Sequence, residues 1–243
     1  MIRMLKDLFI SMRPQQWYKN FLVFAALVFS KNLLDLELLK LTILGFIAFC
    51  LASSSQYIFN DILDREKDKR HPKKCKRPIA SGKISLPIAI AFSAILLIFS
   101  ILISLLLNFW FLMAIISYLI LNSLYSAFLK NLVLFDVLTI SAGFVIRAIS
   151  GCFIINVLIS PWLILCTFLL AIFLALGKRR HELILLEENA KKHREVLGLY
   201  SKEAVDQMLS IMTMAGTKRC LRSKFSIEIP SLKTMARFTV SQS

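Results

Sequence analysis

Residues 56–83 read QYIFNDILDREKDKRHPKKCKRPIASGK, where four Asn/Asp side chains at helical spacing run into a dense series of Lys and Arg. At about 100° per residue, Asn60, Asp64, Asp68 and Asp61 fall at about 0°, 40°, 80° and 100° around a helix. All four point into one narrow arc. Carboxylates held that closely repel one another unless a cation lies between them. An oxygen-only donor set suits Mg²⁺, which usually completes its shell with substrate phosphates. The basic residues that follow suit those phosphates.

The elements that must position these groups are membrane helices. The 243-residue chain is 57% apolar and 19% charged, with a mean hydropathy of +0.69. Its apolar residues fall in blocks long enough to cross a bilayer, which takes about 20 residues per helix. Six spans are expected: residues 17–30, 39–59, 86–107, 109–128, 133–155 and 162–176, the first cut short by Lys31. The net charge of +15 lies between the blocks, which favours orientation by positive loops over nucleic-acid binding. Arg65, Lys67, Lys69, Arg70, Lys73, Lys74, Lys76, Arg77 and Lys83 follow the second span, Lys130 the fourth, and Lys178, Arg179 and Arg180 the sixth. With Arg3, Lys6, Arg13 and Lys19 before the first, the rule of positive cytoplasmic loops puts the N-terminus and all these connections on the cytosolic side. The five cysteines are scattered with no CxxC pair, so neither a zinc site nor a disulfide framework is indicated. The start, MIRMLKDLFI, has no long apolar core followed by a small-residue cleavage site, and no removable signal peptide is expected.

Several polar residues lie where lipid would exclude them. Ser53, Tyr57, Asn60, Asp64 and Asp68 form one stripe down the second span, as for a helix lining a protein cavity. The helix is expected to stop by Arg70, because His71 precedes Pro72. In the fifth span Asp136 and Arg147 share a face with Gly143 and Ser150. Arg147 lies far from either loop and calls for an acidic partner or a bound phosphate. Tyr118, Asn122 and Tyr125 occupy one side of the fourth span, as packing aromatics or as site residues. Lys130 serves as a topology charge or a ligand, and Lys178, Arg179 and Glu182 as interfacial anchors or ligands. In RPQQWYKN, residues 13–20, the bases and Trp17 also read as an interfacial belt. His71, His181 and His193 read as surface residues.

NDILDREKD at 60–68 resembles the NDxxDxxxD signature of the UbiA superfamily of intramembrane prenyltransferases. More narrowly, RPQQWYKN, NDILDREKDKRHPKKCKRPIASG, YSAFLK with Asp136, GFVIRAISG and GKRRHE resemble the decaprenyl-phosphate phosphoribosyltransferase branch, in the right order over residues 12–214. The resemblance implies an all-α bundle of nine membrane helices around a cavity open to the cytoplasm, in the inner membrane. It also implies Mg²⁺-dependent transfer of 5-phosphoribose from 5-phosphoribosyl 1-diphosphate to a polyprenyl phosphate. Carried over by position, Asn60 and Asp64 would hold the metal on the diphosphate, with Asp61 and Asp68 supporting. Lys19, Tyr57, Lys74, Arg77, Lys130 and Arg147 would grip phosphates and ribose. Lys178, Arg179 and Glu182 stand where aromatic prenyltransferases of the superfamily carry a second Asp-rich motif. An aromatic acceptor brings no phosphate and needs no cations there, so phosphoribosyl transfer is the favoured reading.

The competing readings are a UbiA-type enzyme that prenylates an aromatic or small acceptor, and a non-catalytic remnant or lipid-phosphate binder. Transport is disfavoured, since the charges gather at one face. Self-association is left open. The resemblance stops near residue 216, and residues 217–243 carry six Lys/Arg against Glu228 with no apolar run. A catalytic domain over residues 1–216, incomplete at its end, is therefore expected, followed by a basic tail that arises from a shifted reading frame.

Overall fold

A computed structural model of the chain describes residues 2–72, 74–127 and 135–186, with Gln207 and Ser210. Every regular element among the described residues is a helix, with no strand among them. Two compact units divide the chain, Met1–Ile172 and Phe173–Ser243.

The first unit starts with α1 (Ile2–Ser11), a 3₁₀ helix (Pro14–Phe24) and the short α2 (Ala25–Phe29). It continues with α3 (Leu36–Leu63), α4 (Arg65–Arg70), α5 (Leu86–Leu107), α6 (Phe109–Ala127), α7 (Phe135–Ile154) and the start of α8 (Pro161–Leu186), which runs on into the second unit. Five helices are long and apolar enough to cross a membrane: α3, α5, α6, α7 and α8. The chain is a multi-pass membrane protein. The expected first span is built differently, as eleven residues of 3₁₀ helix joined to five of α-helix. Pro14 opens that run, and Arg13 before it takes the left-handed conformation at φ 53°, ψ 58°.

Local chemistry sets the helix ends. Asp35 caps α3, its Oδ1 accepting from the backbone N–H of Glu37 at 3.0 Å and Leu38 at 3.2 Å. Asn108 parts α5 from α6 and accepts from Trp110 N–H at 2.7 Å. At the polar end α4 stops at Arg70, with His71 extended at ψ 131° ahead of Pro72, as the proline demands.

Packing between helices uses small residues, since lipid tails are as apolar as Leu and burial alone does not drive association. Along the α3–α5 seam Ser55 Oγ donates to Ser93 O at 2.9 Å, and Ser93 Oγ returns a bond to Ser55 O at 3.1 Å. Higher up, Ser100 Oγ donates to Ala48 O at 2.9 Å. Helix α7 is the central element, with 56% of its membrane window buried against 22% for the more apolar α5. Most of the α5 window is left uncovered by the other described residues. Gly151 lets α7 meet the 3₁₀ helix: a Cβ there would stand 2.1 Å from Val23 O. Beside this contact Phe49 packs edge-on against Phe111 and Tyr118, with ring centroids 5.7 and 5.6 Å apart.

Candidate active site at the polar mouth of the bundle

The carboxylate ladder stays in helical register beyond the end of α3. Asp64 departs from helical geometry at φ −89°, ψ 7°. Yet its N–H still bonds Asn60 O at 2.9 Å, and Asp68 N–H bonds Asp64 O at 2.8 Å. Asp61 and Asp68, about 20° apart on the helical wheel, are accordingly within reach of one cation. Arg77 Nη1 stands 3.0 Å from Asp61 Oδ1 and 2.6 Å from Asp68 Oδ2. Arg13 bonds Asp61 Oδ1 from the other side, and Lys74 Nζ lies 3.9 Å from Asp68 Oδ1. These two acids are buried, with 4% and 3% of their side chains exposed, and both are neutralised by guanidinium groups.

Asn60 and Asp64 form the second pair, and both are half-buried. Gln56 Nε2 donates long bonds of 3.4 Å to Asn60 Oδ1 and to Ser123 Oγ on α6, which orients the Asn60 amide. No cluster of three or more His, Cys, Asp or Glu side chains forms a metal cage among the described residues. Mg²⁺ is commonly bound through one or two carboxylates plus substrate phosphates. Asn60 and Asp64, two oxygen donors one turn apart beside acids already matched by arginine, fit such an ion.

Tyr57 lies beneath Arg13, whose guanidinium carbon is 5.2 Å from the ring centroid. The segment carrying Arg13 is tied to α3 at Trp17, whose Nε1 donates to Ser54 Oγ at 3.1 Å, while Ser54 Oγ donates to Met12 O at 3.1 Å. Lys19 Nζ donates to Gln16 Oε1 at 3.2 Å.

Arg147 belongs to a separate, deeper constellation. It is 5% exposed. Its Nε donates to Asn20 Oδ1 at 2.8 Å, Nη1 to Gly143 O at 2.8 Å and Nη2 to Tyr118 Oη at 2.7 Å. The guanidinium also stacks on the Tyr118 ring at 4.4 Å. Asn20 Nδ2 in turn donates to Cys50 Sγ and Ser53 Oγ, both at 3.3 Å. Among the described residues no carboxylate lies within 4.0 Å of this guanidinium. Asp136 shares its helix face but accepts from Tyr125 Oη at 2.8 Å on α6.

Of the residues singled out from sequence, Tyr57, Asn60, Asp61, Asp64, Asp68, Lys74 and Arg77 gather at one mouth, and Arg147 stands apart from the acids. Lys178 and Arg179 lie near the end of α8 in the second unit, one exposed and one buried. Glu182 is on the same helix. Lys130 and residues 217–243 are outside the described residues. Two participants escape the sequence reading as site residues: Arg13, which reads as a belt residue, and Asn20, which reads only as the end of a motif, while Tyr118 is left open between packing and site. The available signal was an amide and a guanidinium at the edges of an apolar run.

Decaprenyl-phosphate phosphoribosyltransferase of Mycolicibacterium smegmatis is 36% identical over 197 residues, covering 79% of this chain and 61% of that protein. The Mycobacterium tuberculosis protein of the same name is 31% identical over 195 residues, covering 79% and 65%. The chain thus spans less than two thirds of the length of either relative. A UbiA homolog from Archaeoglobus fulgidus, solved bound to DMAPP and Mg²⁺, shares the fold at a TM-score of 0.72 and 18% identity over 97% of this chain and 83% of its own. The UbiA prenyltransferase family model matches residues 20–213, the stretch that carries Asn60 to Asp68, Arg77 and Arg147, and the chain belongs to that family.

Proposed function

We propose that this chain transfers 5-phosphoribose from 5-phosphoribosyl 1-diphosphate to a polyprenyl phosphate such as decaprenyl phosphate, with Mg²⁺, at the cytoplasmic face of the inner membrane. The carrying observation is the alternation of acids and cations at the mouth: Asn60 and Asp64 half-buried beside Asp61 and Asp68, which themselves hold Arg13, Arg77 and Lys74. Two polyanionic substrates repel each other, and such a surface offers cations to both. The likeness to the two mycobacterial proteins points to the same substrate pair.

In the reaction the bond from the sugar's anomeric carbon to diphosphate breaks as one to a lipid phosphate oxygen forms. The lipid phosphate is already anionic at neutral pH, so no strong general base is needed. Asn60 and Asp64 would hold Mg²⁺, which supplies Lewis-acid stabilisation of the leaving diphosphate. Arg77 and Lys74 bind phosphate oxygens, and Asp61 and Asp68 hold those cations in place. Tyr57 packs beneath Arg13 and borders the ribose. Lys19 and Lys130 add phosphate contacts.

Membranes containing the full chain, supplied with sugar-labelled phosphoribosyl diphosphate, polyprenyl phosphate and Mg²⁺, test this directly. Label entering the lipid phase supports it. Transfer of a prenyl group to an aromatic acid instead selects the alternative superfamily reaction, and no product from a folded chain would make this protein a non-catalytic binder.

A further inference from the structure

We infer that Arg147 is a positioning residue that holds the stretched 3₁₀ helix Pro14–Phe24 in register with α3, so that Arg13 reaches Asp61. Three features of the molecule carry this. A 3₁₀ run longer than about three or four residues is uncommon, because its hydrogen bonds are poorer than those of an α-helix. This one has eleven residues, so something outside it must hold it. At about 2.0 Å per residue it spans ~22 Å, where an α-helix of equal length at about 1.5 Å per residue would span ~16 Å. Relaxation to α would withdraw one end by roughly 5 Å on that geometry. That exceeds the reach of the Arg13–Asp61 bond.

The second feature is where the outside hold is made. Asn20, near the middle of the run and 1% exposed, takes Arg147 Nε–H on its oxygen and donates its amide hydrogens to Cys50 and Ser53 of α3. Arg147 also bonds Tyr118 of α6 and a carbonyl of its own helix. One guanidinium thus joins the 3₁₀ helix, α6 and α7 directly and α3 through an amide. Gly151, one turn further along α7, provides the close approach to Val23 O that this junction needs. The third feature is the type of partner. Three of the five N–H hydrogens of Arg147 go to neutral acceptors, and the plane is stacked on Tyr118. A guanidinium so committed is oriented for the protein and not for a mobile phosphate.

The functional part of this inference rests on the proposed reaction, and the structural part does not. Hydrogen–deuterium exchange on the full chain in lipid nanodiscs, without substrate, separates them. Arg147→Gln and the milder Asn20→Ala are each expected to speed amide exchange in residues 14–24 by about tenfold or more, leaving the α3–α5 seam unchanged. The double variant adds nothing further, because both sever one hold. Arg147→Lys fails to restore protection, since an ammonium cannot bond three acceptors in one plane and stack. Where turnover is measured, these variants lower kcat about tenfold or more and leave the donor KM within about twofold. Unchanged exchange in residues 14–24 overturns the inference whatever the activity, and a tenfold rise in donor KM with that result would make Arg147 a phosphate ligand.

Discussion

Arg77 and Asp68, nine residues apart, form a 2.6 Å ion pair whose acid is almost fully buried and whose cation also reaches Asp61. The pair lets two acids of the ladder lie close together in the protein interior. Removing the cation leaves buried Asp61 with Arg13 alone and buried Asp68 with only Lys74 at 3.9 Å. Arg77→Met is therefore expected to cost about 3 kcal/mol of stability, read as a lowered Tm in nanodiscs. Combining it with Asp68→Leu should recover part of that loss, and a double variant no more stable than Arg77→Met would show that the pair is not what holds the loop.

The junction of α7 with the 3₁₀ helix makes a sharper steric prediction. Gly151→Ala would set a Cβ 2.1 Å from the Val23 carbonyl, whereas at Gly143 the nearest heavy atom would be 3.5 Å away at Arg147 Nη1. Overpacking of the first kind costs about 1–3 kcal/mol. Gly143→Ala should be close to neutral. Thermal unfolding of the two variants side by side checks the contrast, and equal effects would contradict it.

The reciprocal serine bonds between α3 and α5 set a third expectation. Interhelical hydrogen bonds in membranes average about 0.6 kcal/mol, so Ser55→Ala and Ser93→Ala should each destabilise by roughly that much. Because the two hydroxyls bond each other's backbones and lie 3.1 Å apart, their effects should be non-additive. A double-mutant cycle by reversible unfolding reads the coupling directly.

Much of this was legible in the chain. Helix α5 spans Leu86–Leu107 as its apolar block does, and α4 ends at Arg70 because Pro72 follows. The helical wheel puts Asp61 beside Asp68 and calls for a cation among the acids, expected as Mg²⁺, whereas the group that meets both in the structure is Arg77. The partners themselves were hidden. Arg13 meets Asp61 across 48 residues and Arg147 meets Asn20 across 127, and no local pattern encodes such pairings. The first span was misjudged for a related reason. An apolar run of its length favours α geometry by itself, and the pattern does not show the tertiary bonds that Trp17 and Asn20 make. Arg147 looked short of an anion because a buried guanidinium usually has one, yet an amide, a phenol and a carbonyl solvate it instead.

The proposed division of the ladder predicts different responses from its two halves. Asp64→Asn should abolish Mg²⁺-dependent binding of the phosphoribosyl donor and cost less in Tm than Asp61→Asn, because Asp64 is the more exposed of the two. Asp61→Asn should lower Tm, since it releases Arg13 and part of Arg77. Calorimetric titration with and without chelator, paired with unfolding curves, distinguishes the two. The same profile for both variants would argue against separate roles.

The central claim is that one phosphoribosyl group moves from a soluble diphosphate to a membrane phosphate. Mass spectrometry of the lipid product, with diphosphate release measured in the same reaction, tests it most directly. The expected product is a polyprenyl phosphate heavier by one phosphoribosyl unit, formed mole for mole with diphosphate and lost with Asp64→Ala or chelator. Diphosphate release without a modified lipid phosphate, or a prenyl group appearing on a small acceptor, would contradict it.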